Sequence, residues 1–322
     1  MTDDRESLAR PRPISGGSLQ EAELPATSEV AWRAKADRAE SPFMQGVRRL
    51  RRSTTALIGA VIVAVLLVVA LFADVLAPQS PIVSDQTHTF ERPGWDYPLG
   101  TDQLGRDMLS RVIHGSRISL AVGVSSVLLA LFVGVPFGMI AGYYGGRADS
   151  IIMRAMDLIL AFPIYLLAII LMVIFAPTAG IIGTMKVTGA IAIVRIPIYA
   201  RLVRGSVLSI KEKEYIEACR AVGVRDPWIL LRHVLPNCLA PIIVTTTLGI
   251  ATSIIVEATL SFLGLGTQPP TPSWGWDLKA NVAFIQSNPW ISLFPGIAIF
   301  VTVLGFNLFG DGLRDALDPR LK

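Results

Sequence analysis

Few side chains in this sequence can do chemistry, and their placement excludes most of it. His88, His114 and His233 are scattered, and Cys219 and Cys238 make neither a CxxC pair nor a Cys/His group at zinc spacing. Neither a metal site nor a disulfide framework is implied. The Gly-x-x-x-x-Gly-Lys-Ser/Thr phosphate loop is missing, as is any Gly-Lys dipeptide, so ATP must be handled elsewhere. No catalytic cluster takes their place. What remains is a set of ionisable residues inside apolar runs, Asp157, Arg195 and Glu257, and one patterned polar stretch. That stretch reads Glu217-Ala218-Cys219, three residues, Gly223, nine residues, His233, one residue, then Leu235-Pro236.

The elements that carry these residues belong to a membrane protein. The chain has 322 residues, of which 52% are hydrophobic and only 17% charged, against about 25% charged in an ordinary soluble domain. Mean hydropathy is +0.54. Apolar runs of helix-spanning length occur at 56–76, 118–143, 151–175, 180–199, 238–260 and 290–309. The expected fold class is therefore an all-α integral membrane protein with six transmembrane helices, since a helix satisfies its own backbone in hydrocarbon. The formal charge of +4 does not signal nucleic acid, because the basic residues gather beside the apolar runs.

Those basic residues set the expected orientation. With the N-terminus inside, sixteen Lys and Arg fall in inner segments and six in outer ones. Both termini, and the loop over 204–237, are thus expected on the cytoplasmic side, with an external loop over 77–117. Residues 1–40 read as a disordered cytoplasmic tail. The start Met1 to Glu6 lacks the basic and apolar regions of a cleavable signal. Residues 41–55 read as an amphipathic helix on the inner membrane surface, begun by Ser41 and Pro42, ahead of a six-helix transmembrane domain over 56–322.

Within the loop, a helix from about Ser206 to Val222 is expected to end at Gly223 in a left-handed conformation. Asp226 and Pro227 are expected to restart a helix as N-cap and first residue. Trp228, Leu231 and Leu235 give that second helix an apolar face among Arg225 and Arg232, and Pro236 is expected to end it. A knuckle of this kind can fill a groove on another protein.

On the opposite side, Asp102 is expected to cap a helix running to about His114, with Leu104, Met108, Leu109, Val112 and Ile113 as its apolar positions. The segment from Gln268 to Trp276 reads as a rigid external loop. Glu257 lies about 20 residues into the fifth run, near the outer boundary at ~1.5 Å per residue. It is a candidate either for a substrate ammonium group or for a hydrogen-bonded helix-end carboxylate. Asp157 and Arg195 each lie about six residues from the inner ends of their runs and are expected to neutralise one another.

The Glu217 to Pro236 spacing resembles the EAA loop of ABC importer permeases, with Cys219 in place of the second Ala and His233 in place of Ile. The likeness extends over nearly the whole chain from Phe43. It is carried by Leu99-Gly100-Thr101-Asp102-Gln103-Leu104-Gly105-Arg106-Asp107, then Ser261-Phe262-Leu263-Gly264-Leu265-Gly266, Gln268-Pro269-Pro270-Thr271-Pro272-Ser273-Trp274-Gly275 and Gly310-Asp311-Gly312-Leu313-Arg314. It is most similar to the C-type permease subunit of dipeptide and oligopeptide importers, a group that includes nickel and glutathione systems.

The resemblance implies a type I importer permease fold in a bacterial inner membrane. It implies a second homologous permease, two ATPase subunits holding ATP and Mg, and an extracytoplasmic solute-binding protein as partners. This chain would then bind no cofactor of its own. A peptide is the implied solute, with nickel, glutathione or oligosaccharide as alternatives. A secondary carrier would place ionisable residues at mid-membrane and often duplicate its hydropathy pattern. Here those residues are expected near the boundaries, and no internal repeat is visible.

Overall fold

A computed structural model of the chain describes Leu50 and residues 53–317. The expected tail over 1–40, and the expected surface helix over 41–55 apart from its last residues, lie outside the described residues. Ser53 caps helix α1 (Thr54–Leu71), its side chain accepting from the Ala56 amide at 3.3 Å, and a short turn Ala73–Leu76 follows. Then come α2 (Met108–Tyr144), α3 (Gly146–Leu160), α4 (Ile164–Phe175), α5 (Gly180–Lys211) and α6 (Glu214–Ala221). Helix α7 (Asp226–Phe262), α8 (Trp274–Asn281) and α9 (Trp290–Leu317) complete the fold. Among the described residues only two isolated β-bridges interrupt the helical architecture.

Five helices, α1, α2, α5, α7 and α9, are each long and apolar enough to cross a membrane. The expected third span is not one straight helix. It divides into α3 and α4, bent by 88° at a break that contains Pro163. Proline has no amide hydrogen and disfavours a helical conformation in the residue before it, so the pattern of a continuous apolar run hides a corner.

Helix α2 packs against α5, α7 and α1, and the α2–α5 seam is the most extensive of these contacts. Gly134, Gly138 and Gly142 stand four residues apart on α2 and meet α5 backbone. A Cβ at Gly138 would lie 2.4 Å from the Ala200 carbonyl oxygen and 2.9 Å from Val203 Cβ, and one at Gly134 would lie 2.7 Å from the Ile196 carbonyl oxygen. Lipid tails are as apolar as Leu, so helices in a membrane associate by close packing rather than by escape from water. The glycine row supplies that packing. Helix α1 meets α9 in the same way, with a Cβ at Gly59 placed 2.3 Å from the Phe309 amide nitrogen.

Gly138→Val should therefore force the α2–α5 seam apart and lower stability by at least the ~1–3 kcal/mol of an overpacked core. Gly189→Ala on α5 has open space around the added carbon and should change stability by less than ~0.5 kcal/mol. Thermal unfolding of the purified protein in detergent reads both; equal melting temperatures would refute the seam's role.

Candidate functional site

The patterned stretch forms an elbow between α5 and α7. Helix α5 ends at Lys211, and Glu212 and Lys213 separate it from α6, so the expected single helix from Ser206 to Val222 is two. Gly223 adopts φ +78° as its place in the pattern requires, and the Gly223 and Val224 amides donate back to the Arg220 and Cys219 carbonyls at 2.9 and 3.0 Å. A Cβ at Gly223 would meet nothing, so the demand on this residue is conformational.

Three details of the second helix differ from the sequence expectation. Arg225, not Asp226, precedes it as the cap, and Asp226 and Pro227 are its first two residues. The Asp226 side chain is engaged elsewhere, accepting from the Tyr143 hydroxyl of α2 at 2.7 Å. Pro236 does not end the helix. The chain passes through a π-helical stretch at Leu230–Val234 into Leu235–Phe262 without a break. Proline is tolerated here because a wider turn has already displaced the usual i to i−4 bonding.

The elbow has an anchored base and an uncovered tip. Ile216, Ile229, Leu230, Val234 and Cys238 pack with Val203, Val207, Met139 and Tyr143 in one buried cluster. Leu235 sits against that cluster and is not part of the outer face. Trp228 and Leu231 remain 56% and 63% exposed, and Val222, which the sequence pattern did not single out, is 80% exposed. The Arg232 guanidinium stacks over the Trp228 ring at 5.5 Å, and that of Arg220 lies over Tyr143 at 4.9 Å. Glu217 and Ala218 are exposed on α6, and His233 and Cys219 are partly buried.

At the other end of the bundle, the Gly100 to Asp107 segment folds into a tight loop and not a helix. Asp102 does not cap α2; Asp107 does, its carboxylate accepting from the Ser110 amide at 2.8 Å. Asp102 is buried inside the loop, where it accepts from the Leu104 and Arg106 amides at 2.8 and 3.0 Å and from Arg106 Nε at 2.7 Å. The Thr101 hydroxyl receives the Glu91 amide at 2.9 Å. Gly100 and Gly105 take φ +74° and +69°, and a Cβ at Gly105 would collide with the Asp85 carbonyl oxygen at 1.7 Å. On the same loop Asp85 is held down to about 2 by hydrogen bonds from Thr87 and His88, and His88 is in turn raised by the Asp85 carboxylate.

Arg111 ties this loop to a distant element. Its Nε donates to Asp277 Oδ1 of α8 at 2.8 Å, its Nη2 reaches the same oxygen, and its Nη1 donates to the Pro81 carbonyl at 2.8 Å. Trp274 is buried beside it and donates to the Val112 carbonyl at 2.9 Å. The expected rigid loop from Gln268 to Trp276 thus becomes helical from Trp274, capped by Ser273.

The intramembrane charges are placed differently from expectation. Asp157 pairs with Arg201, and Asp149 with Arg204 at 2.5 Å, so Asp157 does not pair with Arg195. Arg201 lies nearly two turns further along α5 than Arg195, and depth estimated from the ends of apolar runs missed that offset. Arg195 instead stands midway along α5, where its Nη2 meets the Thr252 hydroxyl of α7. Glu257 is fully buried and accepts from the Ser119 and Ser261 hydroxyls at 2.9 and 2.8 Å. It joins α7 to α2 and has no open face for a solute. Among the described residues no cluster of metal-ligating side chains occurs.

Helices of spanning length, a protruding elbow continuous with one of them and a charge-latched loop at the far end define a membrane transport subunit. The comparisons make the class specific. The family described as binding-protein-dependent transport system inner membrane component matches residues 134–322. The N-terminal transmembrane domain of oligopeptide transport permease C matches residues 41–93. The dipeptide transport system permease of Alkalihalophilus pseudofirmus is 44% identical over 88% of this chain and 92% of its own length. The glutathione transport system permease of Pectobacterium atrosepticum is 45% identical over 88% and 92%. Two inward-facing crystal forms of a methionine ABC transporter, MetNI, share the fold with TM-scores of 0.54 and 0.52, at 18% and 17% identity over 66% of this chain and 98% of theirs. The chain therefore belongs to the binding-protein-dependent ABC importer permeases and is the C-type permease subunit of such a system.

The two kinds of ion pair should behave differently. Asp277→Ala strands the Arg111 guanidinium in a buried site and should cost ~3–5 kcal/mol. Asp157→Ala breaks a pair whose side chains are 51% and 58% exposed and should cost no more than ~1 kcal/mol. Membrane accumulation and thermal unfolding in detergent would expose an error if the two variants were alike.

Proposed function

We propose that this chain lines, with a second homologous permease, the path of an importer for di- or oligopeptides, and that its elbow couples the path to ATP hydrolysis. The observation that carries the coupling is the contrast within the elbow. Trp228 and Leu231 are uncovered at the tip, while the base is packed on α2 and α5 and runs unbroken into α7. An exposed Trp beside arginine has the composition of an interface anchor, which a groove on a partner would enclose, and Leu231 extends its apolar face. Because no flexible joint separates the anchor from α7, displacement of the tip is delivered to a membrane helix. In this reading Glu217, Ala218, Gly223, Asp226, Pro227, Trp228, Leu231, Leu235 and Pro236 form the coupling unit, and the two ATPase subunits hold ATP and Mg.

The loop from Gly100 to Asp107, closed on itself by Asp102 and Arg106 and followed by Arg111, which ties α2 to α8, lies on the extracytoplasmic side in this orientation, where a solute-binding protein delivers its cargo. Both termini are then cytoplasmic, in line with the excess of basic residues on the elbow side. The dipeptide and glutathione permeases among the relatives support a peptide or peptide-like solute. Glutathione is the alternative, because it carries the same amide and carboxylate groups.

Gly223→Val should strain the bend, since a β-branched residue tolerates positive φ poorly, and Trp228→Ala should remove the anchor. Both should accumulate normally, while import into reconstituted vesicles drops at least tenfold and ATP hydrolysis stimulated by the binding protein is uncoupled from it. Wild-type import by both variants would refute the coupling role. Orientation is tested separately in a background lacking Cys219 and Cys238. Leu104→Cys should react with an impermeant thiol reagent applied to intact cells and Val222→Cys only in inverted vesicles; the reverse pattern would invert the topology.

A further inference from the structure

Arg195 is a cation midway along α5 with no acidic partner among the described residues. At ~1.5 Å rise per residue it lies ~20–25 Å from either end of α5, and its side chain is 9% exposed. Further along α5, Arg201 and Arg204 are matched by Asp157 and Asp149. No Asp or Glu among the described residues forms an ion pair with Arg195. A guanidinium offers five N–H donors in a planar fork, and the guanidinium of Arg195 donates to the Thr252 hydroxyl.

The surroundings form a cradle that is packed at its base, where Tyr199 joins Val127 and Ile250 in a buried cluster, and open at one edge. Tyr199 stands one turn from Arg195 on the same face of α5, and its buried hydroxyl makes no full hydrogen bond, with the Thr246 side chain of α7 beside it. Gly249 of α7 faces both. A Cβ there would lie 2.7 Å from the Tyr199 hydroxyl and 3.5 Å from Arg195 Nη1, so the glycine lets both side chains lie close against α7. Thr252 is exposed and Tyr165 of α4 is 48% exposed, which opens the cradle to the surface of the chain. An unpaired charge at this depth is costly and is retained where it faces a polar path.

We propose that Arg195, Tyr199 and Thr252 form a carboxylate-binding station that the solute's carboxylate engages in passage across the membrane. The fork of the guanidinium matches the two oxygens of a carboxylate, and the Tyr199 hydroxyl is a further donor beside it. Thr252, whose hydroxyl accepts from Arg195 and donates to the Leu248 and Gly249 carbonyls at 3.1 Å, holds the guanidinium in place. This rests on the reading of the chain as an importer of peptide-like solutes, each of which carries at least one free carboxylate. The alternative source of that group is an acidic side chain of the second permease.

The test uses the whole complex, this chain with its partner permease, ATPases and binding protein, reconstituted in vesicles. Uptake of radiolabelled trialanine and of glutathione is measured beside co-purification of the second permease. Arg195→Gln should lower uptake at least tenfold while still co-purifying with the second permease. Arg195→Lys, which keeps the charge without the fork, should retain a larger share, and Thr252→Val should lose only a few-fold. Undiminished uptake by Arg195→Gln overturns the station. So does failure of that variant to co-purify with the second permease, which would assign the carboxylate to the partner. A wild-type complex that imports neither solute overturns the peptide reading, and the station's ligand with it. Wild-type import together with an unaffected Arg195→Gln variant overturns the station alone.

Discussion

Backbone contact between α2 and α5 is the constraint on which the rest of the architecture depends. Gly134, Gly138 and Gly142 let the two helices approach until an added carbon atom would touch main chain. In hydrocarbon that closeness, and the dispersion contacts it allows, replaces the hydrophobic force that holds a soluble core. Once the pair is set, α7 packs against both helices. Glu257 then bonds Ser119 on α2, and the elbow base seats on Met139, Tyr143, Val203 and Val207. Glu257 and the elbow base are thus positioned by a seam built on glycine.

Polar groups supplement that seam at chosen places, several of them by bonding a neighbour on another element. Arg111 joins α2 to α8 through Asp277, Tyr143 joins α2 to the elbow through Asp226, and Arg204 joins α5 to α3 through Asp149. These links lie towards the two ends of the bundle and leave the middle to small and apolar residues. Arg195 is the departure from that arrangement, a charge at mid-depth that the chain satisfies with a hydroxyl.

The elbow shows how rigidity and exposure combine. A π-helical stretch at Leu230–Val234 lets the chain pass from the elbow into α7 with Pro236 and Pro241 inside the helix. Such stretches recur at functional sites because they re-aim side chains without ending a helix. Here Ile229, Leu230 and Val234 turn inward while Trp228 and Leu231 stay outside.

The amino-acid sequence by itself determined the class, the number of apolar runs, the bend at Gly223 and the apolar pair Trp228 and Leu231. Each is local: hydropathy over about twenty residues, a glycine at a left-handed position, and i to i+3 spacing on one helix. The glycine row on α2 is also written in the sequence, at a period of four, though its partner helix is not. Pairing across helices was decided only by tertiary structure. Depth measured along single runs matched Asp157 with Arg195, whereas the rotation and offset of α5 against α3 deliver Arg201 instead. Asp102 has the residue type of a helix cap, yet the fold turns it into the loop and gives the cap to Asp107. Glu257 shows the same limit, because whether a carboxylate meets solute or two serines depends on the face its helix turns to α2. A helix's rotation about its axis is set by packing with its neighbours, and one-dimensional spacing does not contain it.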